Sequence, residues 1–356
     1  MDRLQEINLK HDRLRALLER RGAPALWLRR TRNLAWFTAG ADASIPVDSE
    51  TGMYSVLVTP AKRVVYTSNI EATRLRGEER FQDLGFEYAE FPWHTGGAPS
   101  IPDLLTDDGD VETDLQALRW VLTEGEQERL RALGRDCAAA LDEAIRAVRP
   151  GDTEYEIAAR LDAACRRYGG LAVVNLIATD ERISRYRHPL ATGKRLEKYA
   201  MIVVCMRRGG LIVAGTRLAH IGKAPAELHE KNRRIAAVDA AAIAATRPGR
   251  TLGEVFMDIQ AAYAAQGEDG QWQYHHQGGL VAYLPRERVA TPGDSTRIAV
   301  GQAFAWNPSI VGCKSEDTLL LTDQGFEIVT EAPASFPSIE VEVGGQVIRR
   351  PGILEL

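Results

Sequence analysis

The sequence predicts an α+β protein built from two domains, and three observations support this class. The chain has 356 residues, of which 45% are hydrophobic, which is enough for a substantial core in more than one domain. Short apolar runs separated by Gly, Pro, Asp and Asn predict strands in the first third of the chain. The remainder alternates twice between two helical patterns and a group of apolar runs, an order typical of helices packed against a sheet.

Residues 1–122 are predicted to form a small N-terminal α/β domain. It opens with a charged amphipathic helix in "MDRLQEINLKHDRLRALLERRG". Strands are predicted at "APALWLRR", "LAWFTAG", "MYSVLVTP" and "RVVYTSN", with a helix at "IEATRLRGEERFQDLG". The acidic stretch "PSIPDLLTDDGDVETDLQALRW" that follows predicts a loop, and we place the domain boundary after Leu122.

Residues 123–356 are predicted to form the second domain. Thr123, with Glu126 three residues later, is typical of a capping box at the start of a long helix, and a second helix is predicted after Pro150-Gly151. The first half continues with strands at "LAVVNLIAT", "YAMIVVCMRR" and "GLIVAGTRLAHIG". The second half has helices in "PAELHEKNRRIAAVDAAAIAAT" and "LGEVFMDIQAAYAAQG", strands at "AFAWNPSIVG" and "EDTLLLT", and a polar C-terminal hairpin.

Composition excludes several classes of partner. The formal net charge is -5 and no long apolar run is present, so we expect neither a nucleic-acid partner nor a membrane partner. The charged N-terminal helix lacks the apolar centre of a signal peptide, so we expect a cytoplasmic protein. The cysteines form no C-x-x-C pair, and buried reduced thiols are expected at Cys137, Cys165, Cys205 and Cys313.

The order of motifs in the second domain resembles the pita-bread family, which includes methionine aminopeptidase, aminopeptidase P, prolidase and creatinase. The motifs are "RPGDTEYEIAARLDAA", "YRHPLATGKRLEKYAMIVV", "GLIVAGTRL", "HHQGG" and "NPSIVGCKSEDTLLLTDQGFEIVT". The first domain looks like the N-terminal domain of the prolidase and creatinase branch. The resemblance implies a curved antiparallel sheet with helices on one face, made of two pseudo-duplicated α+β halves. It also implies a homodimer.

The resemblance further implies a defined set of metal-ligand positions. In the family's metallopeptidases, two Asp, one His and two Glu hold two divalent metals that activate a bridging water. Each of these positions can be located in this sequence from its motif. They fall on the stretch Val203 to Cys205, on Ala214, on His276 with His275 as an alternative register, on Asn307 and on Glu316.

Only His276 and Glu316 among these residues match the family's ligands. A neutral amide at Asn307 is a poor substitute for a carboxylate, and two ligands are too few to hold two hard cations. We therefore predict no dinuclear metal site and no cofactor. A single metal held by His276, Glu316 and either water or Cys205 is an alternative.

Creatinase, the family's metal-independent branch, suggests how chemistry could proceed without metals. His188 in "RYRHPLAT" matches the loop histidine that serves as the base in that branch, and an imidazole can take a proton from water and return it to a leaving nitrogen. The resemblance implies that Glu316 orients a cationic group and that His276 stabilises developing negative charge. Arginines at the pocket rim would suit a substrate carboxylate. The predicted substrate-binding residues are Asn307, Arg187, Arg286 and Tyr283.

Two functions follow from these residues. The first is a hydrolase of the Xaa-Pro dipeptidase and creatinase type, acting on a C–N bond of a small peptide, amide or amidine without the dinuclear metal centre. The alternative is a catalytically inactive family member that binds a small ligand, peptide or partner in the same pocket. Two of these residues also have interpretations without a functional role, because His188 could be a surface histidine and Glu316 could belong to a turn.

Overall fold

The computed structural model describes all 356 residues and confirms the predicted α+β class. The chain forms two compact units, residues 1–126 with 209–211, and residues 127–208 with 212–356. The boundary that we predict after Leu122 lies a few residues before the change of unit, and it stays a prediction. None of the helices is long and apolar enough to cross a membrane.

The first unit contains a five-stranded mixed sheet. Its strand order is β4-β3-β2-β1-β5, in which β1 pairs with β2 and β2 with β3 in antiparallel fashion, while the two outer pairs are parallel. The strands are β1 (Leu26–Arg30), β2 (Thr51–Val58), β3 (Arg63–Ser68), β4 (Glu87–Phe91) and β5 (Leu105–Thr106). The helices are α1 (Arg3–Arg21), α2 (Thr31–Phe37), α3 (Ala72–Arg74) and α4 (Gly109–Arg119), with short π and 3₁₀ turns at Leu75–Glu79 and Phe81–Leu84.

Two predictions for this unit are wrong. The run "LAWFTAG" does not form a strand, because its first half lies in helix α2; Trp36 and Phe37 are fully buried there. A short run that is buried on all sides has no periodicity to separate a strand from a helix. The acidic stretch that we expected to be a loop contains helix α4, in which Asp110 and Glu112 occupy the first turn, where the helix dipole favours carboxylates.

The second unit repeats a helical start signal. Helix α6 (Glu154–Arg167) begins at Thr153 with a capping box formed by Glu156, and helix α9 (Leu252–Ala265) begins at Thr251 with the same box formed by Glu254. Each capping threonine also forms an isolated β-bridge, to Arg195 and Arg297 respectively. This repetition agrees with the predicted pseudo-duplicated halves. The remaining helices are α5 (Glu124–Arg146), which begins with the predicted Thr123–Glu126 box, α7 (Glu181–Arg185) and α8 (Ala226–Ala245).

The strands of the second unit form two main sheets. The first has the order β18-β8-β7-β6, with β6 (Leu171–Thr179), β7 (Tyr199–Arg208), β8 (Leu211–His220) and β18 (Ile353–Glu355). The second is antiparallel, with the order β10-β9-β11-β14-β15, and contains β9 (Gly278–Val281), β10 (Arg288–Val289), β11 (Ala303–Trp306), β14 (Asp317–Thr322) and β15 (Gly325–Ile328). Two short pairs complete the unit, namely β12 (Ser309–Ile310) with β13 (Cys313–Lys314) and β16 (Ser338–Val343) with β17 (Gln346–Pro351).

Strand β8 connects the two main sheets. The backbone N–H of Ile212 donates to the carbonyl oxygen of Ala282 (2.8 Å), and that of Thr216 donates to the carbonyl oxygen of Glu316 (3.0 Å). The candidate site residues of the second sheet are thereby held against the strand that carries Ala214 and Thr216. The four cysteines are buried and free, as predicted.

Candidate functional site

Three histidines meet on the second unit. His188 lies in the loop between α7 and β7, and His275 and His276 directly precede β9. The nearest ring nitrogens of the three side chains all lie within 4.8 Å of one another, and the Nε2 atoms of His188 and His275 are 2.9 Å apart. The chain thus brings together two segments that are 87 residues apart in sequence.

The loop that carries His188 is tied down by a buried carboxylate on α6. Glu154 is fully buried; it accepts hydrogen bonds from the backbone N–H groups of Thr179 and Thr192, at 2.9 Å each, and forms an ion pair with Arg182. Burial alone raises the pKa of Glu154, but its contacts with Arg182, Thr192 and Thr179 outweigh this effect and lower the pKa below its ordinary value. An ionised Glu154 therefore holds the chain on both sides of His188, at Arg182 and at Thr192.

Two glycines fix the position of the adjacent histidines. Gly278 and Gly279 have φ values of 103° and 148°, a backbone conformation that residues with a side chain rarely adopt. A Cβ atom would lie 2.0 Å from the carbonyl oxygen of Ala305 at the first position, and equally close to that of Arg288 at the second. Only glycine at these two positions allows β9 to lie between β10 and β11. The position of β9 in turn sets the position of His276, which lies just before this strand.

His275 is held by a second group of buried polar side chains. Its Nδ1 atom lies 3.0 Å from the hydroxyl of Ser309. The backbone N–H of Ser309 donates to the hydroxyl of Tyr263 (2.8 Å), and this hydroxyl lies 2.9 Å from Oε1 of Gln277. The ring of His275 is therefore fixed from both of its nitrogens.

All three imidazoles are held in the neutral form. Burial lowers the pKa of His276 to about 4, with a further contribution from the charge of Arg286. Burial also lowers the pKa values of His188 and His275, and in both cases the positive charge of Lys314 acts in the same direction. At neutral pH each ring therefore retains one nitrogen that can accept a proton or a hydrogen bond.

Glu316 is buried and is paired with two cations. One carboxylate oxygen lies 3.0 Å from Arg286, and the other lies 2.8 Å from Lys314 and accepts a hydrogen bond from the hydroxyl of Thr216 at 2.8 Å. Burial raises the pKa of Glu316, but the charges of Lys314 and Arg286 outweigh burial and place the pKa at about 2. Both oxygens of this ionised carboxylate are already engaged by protein groups.

A cavity of about 450 Å³ opens beside the histidines. His188, His275, His276 and Arg187 line it together with aromatic side chains, among them Trp272. Arg187 is half-buried; one of its amino groups donates to Oε1 of Gln271 (2.7 Å), and it forms no ion pair. Burial lowers the pKa of Arg187. The cavity therefore presents one unpaired cation beside three neutral imidazoles.

Four of the predicted site residues lie outside the lining of this cavity. They are Glu316, Arg286, Asn307 and Tyr283. Asn307 is 2% exposed and its side-chain oxygen has no hydrogen-bond partner, whereas Tyr283 is 3% exposed and its backbone N–H donates to Glu287. The structure thus brings His188, His276 and Arg187 together at one opening, and the other four lie outside its lining.

Sequence reasoning missed Lys314 and Ser309 and treated His275 only as an alternative register. Lys314 stands in "CKSED", which we interpreted as turn chemistry. The available signal was its spacing of two from Glu316, since alternate residues of an extended chain face the same side. Ser309 carried no local signal, because its contact with His275 joins residues 34 positions apart.

The fold and this site together define a pita-bread protein with a small N-terminal unit of the prolidase type, as the motif order predicted. A sequence model of metallopeptidase family M24 matches residues 128–323, which is more than half of the chain, and the chain belongs to this family. The solved structure of an Xaa-Pro dipeptidase from Bacillus anthracis superposes with a TM-score of 0.75 at 16% identity, covering 98% of this chain and all of that one.

Eight curated relatives match, all at low identity, and they include the following two. An uncharacterized peptidase of Staphylococcus aureus (strain MW2) is 21% identical over 238 residues, which cover 62% of this chain and 66% of that protein. The agropine synthesis cyclase of Rhizobium rhizogenes is 25% identical over 213 residues, which cover 52% of each chain. The matched part of this chain thus spans less than two thirds of the length of these relatives.

Proposed function

We propose that this chain is a metal-independent hydrolase of the M24 family that acts on a C–N bond of a small peptide or amide. One observation carries the proposal, namely that three neutral histidines converge at one cavity, next to a carboxylate that is already neutralised by cations. Neutral imidazoles at neutral pH are suited to general base catalysis.

The residues present do not fit a dinuclear centre of hard cations. Val203, Ala214 and Asn307 supply no carboxylate where the resemblance places ligands. The oxygens of Glu316 are engaged by Lys314 and by other groups, so a metal would have to displace an existing ion pair. Divalent cations such as manganese need several oxygen ligands whose charge balances their own. The mechanism that we propose therefore uses only side chains.

In this mechanism His188 is the general base. It takes a proton from the attacking water and returns it to the leaving nitrogen. His276 lines the same cavity, where its ring can contact a substrate oxygen. Lys314 and Arg286, both held by Glu316, place positive charge where it can stabilise developing negative charge. Because Glu316 is occupied by these cations, an amide substrate is favoured over a cationic amidine.

Arg187 supports an anionic substrate. A half-buried cation without an ion pair is costly, and a substrate carboxylate would supply the anionic partner that Arg187 lacks. The aromatic wall beside it, which includes Trp272 and Tyr274, suits an apolar or cyclic group. A short peptide with a free carboxylate combines both features.

A second candidate is binding without turnover. The observation in its favour is that the carboxylate of Glu316 is saturated by protein groups and cannot itself act on a substrate. Under this alternative the cavity binds a small ligand, a short peptide or a partner. Ring closure should also be assayed, because the Rhizobium relative is named a cyclase. The same base could activate a hydroxyl or an amine of the substrate itself.

The first experiment measures metal content by mass spectrometry on protein purified without added metal. Hydrolysis of an Xaa-Pro dipeptide and of creatine is then followed with and without manganese, for the wild type, His188→Ala and the control His229→Ala. The control histidine is exposed and pairs with Glu355. We expect no stoichiometric metal and a cleavage that requires His188. Two metals per chain with manganese-dependent cleavage would refute the proposal, and no cleavage in any arm would favour binding.

We also propose that the protein is a cytoplasmic homodimer. The four free cysteines are typical of a reducing compartment, and the dimer is supported by the resemblance to the prolidase branch. Light scattering on the purified chain measures the molecular mass directly, and a monomer at micromolar concentration would contradict the proposed homodimer.

A further inference from the structure

Three buried or partly buried side chains form a hydrogen-bonded line that ends at the cavity. The hydroxyl of Ser309 lies 3.0 Å from Nδ1 of His275, and Nε2 of His275 lies 2.9 Å from Nε2 of His188. His275 and Ser309 are 7% and 3% exposed, whereas His188 is exposed to the cavity. The line therefore runs from the interior to the imidazole that we propose as the base.

The direction of these hydrogen bonds follows by elimination once His188 has taken a proton. A protonated imidazole carries hydrogen on both nitrogens, so Nε2 of His188 must donate. Nε2 of His275 must then accept, which places the hydrogen of the neutral His275 ring on Nδ1. That hydrogen is donated to the hydroxyl oxygen of Ser309. Both hydrogen bonds of the line can therefore form in the charged state through which the reaction passes.

We infer that His275 is a positioning residue that orients His188 and stabilises its protonated form, with Ser309 fixing the ring of His275. This inference rests on the proposed role of His188 as the base. His275 performs the task that a buried carboxylate performs in a serine protease triad, since it holds the base and accepts its second hydrogen. Nδ1 of His188 is left as the nitrogen that exchanges the proton with water.

The surroundings of Ser309 explain why it can serve as an anchor. Its backbone N–H donates to Tyr263, and its carbonyl oxygen lies 3.1 Å from the same hydroxyl. Gln277 contacts this hydroxyl as well and lies one residue from His276. The serine is thus held on its backbone by the helix α9 residue Tyr263, and its side chain is free to serve His275.

The test uses ¹⁵N-histidine-labelled full-length protein, treated with EDTA, and measures the ¹⁵N–¹⁵N coupling across the hydrogen bond between His188 and His275. We expect the coupling in the wild type, its loss in Ser309→Ala, and its return in Ser309→Thr, which keeps a hydroxyl. Absence of the coupling in the wild type, or its persistence in Ser309→Ala, would overturn the inference. Zinc bound stoichiometrically before EDTA treatment, and lost in His275→Ala, would overturn it in favour of a metal between the rings.

Kinetics give a second readout on whichever probe the wild type cleaves, the Xaa-Pro dipeptide or creatine. His275→Gln is expected to lower kcat by about tenfold to a hundredfold with KM changed less than about twofold, because the base is misoriented while the substrate contacts remain. An unchanged kcat would refute the positioning role. If the coupling is lost in Ser309→Ala and returns in Ser309→Thr, but neither probe is turned over, the proposed function is overturned. The positioning of His188 by His275 is then still supported.

Discussion

Replacing Glu316 by Gln tests the electrostatics of the site most directly. The carboxylate is 2% exposed and lies between Lys314 and Arg286, whose side chains are 4% and 10% exposed. Glu316→Gln keeps the shape of the side chain but leaves two buried cations without their anion. Removing one partner of a buried ion pair costs about 3–5 kcal/mol, since the remaining charge stays desolvated.

The pKa of Glu316 gives an independent magnitude. Lowering the pKa from its ordinary 4.5 to about 2 corresponds to about 3 kcal/mol of folding stability at neutral pH. This stability is fully present above the unfolded pKa and is lost as the pH falls through the folded one. The difference between wild type and Glu316→Gln should therefore be constant above pH 5, fall to about 1.4 kcal/mol at pH 3 and nearly vanish at pH 2.

The assay is urea denaturation of both proteins at several pH values, analysed as the difference in the free energy of unfolding. The control is Glu327→Gln, whose carboxylate is 45% exposed and pairs with Arg131, so its loss should cost less than about 1 kcal/mol. A Lys314→Met/Glu316→Gln double variant should recover part of the loss, because it removes one of the unpaired cations. A pH-independent difference, or one below about 1 kcal/mol at pH 7, would refute the electrostatic reasoning.

Three further predictions concern single residues. Gly278→Ala should lower the free energy of unfolding, measured by urea denaturation, by more than about 4 kcal/mol, because the new Cβ atom would lie 2.0 Å from the carbonyl oxygen of Ala305. The control Gly293→Ala, with φ 75° but open space around the new Cβ atom, should cost only about 1 kcal/mol. Tyr263→Phe should cost about 1–3 kcal/mol by the same measurement, because buried partners lose their hydroxyl; an unchanged midpoint would contradict this. Since the pKa of His188 is lowered and the base acts when unprotonated, kcat/KM should stay constant as the pH is lowered to 6.5 and decline only at more acidic pH; a decline that begins above 6.5 would disprove the assignment.

Much of the fold could be predicted because local and tertiary signals agree. The capping boxes at Thr123 and Thr153 mark helix starts by short-range chemistry, and the long apolar runs of β7 and β8 are buried on both faces as such runs require. The two wrong predictions differ in cause, and that of the predicted strand lies in burial. In "LAWFTAG" the residues are buried on all sides, so the pattern carries no period, and tertiary packing selects the helix α2.

The candidate site was predictable only in part, for a related reason. Motif order pointed to His188, His276 and Glu316, because each stands in a segment that the family resemblance aligns. The partners of these residues come from elsewhere in the chain. His275 is joined to His188 across 87 positions, and the charge on Lys314 matters only because folding buries it beside Glu316. Contacts of this kind follow from topology, which single-sequence patterns do not contain.

The charges around Glu316 bear on the positions at which the family resemblance implies metal ligands. Ala214 and Asn307 carry no negative charge where the family resemblance implies carboxylate ligands, and Lys314 and Arg286 supply fixed positive charge that pairs with Glu316. A dication approaching this site would meet repulsion from two buried cations and a carboxylate already engaged by both. Restoring carboxylates at Ala214 and Asn307 would leave those cations in place. Uptake of two hard cations at these positions would therefore also require removal of Lys314 and Arg286, so the proposal that this site lacks the dinuclear centre rests on electrostatics as well as on missing ligands.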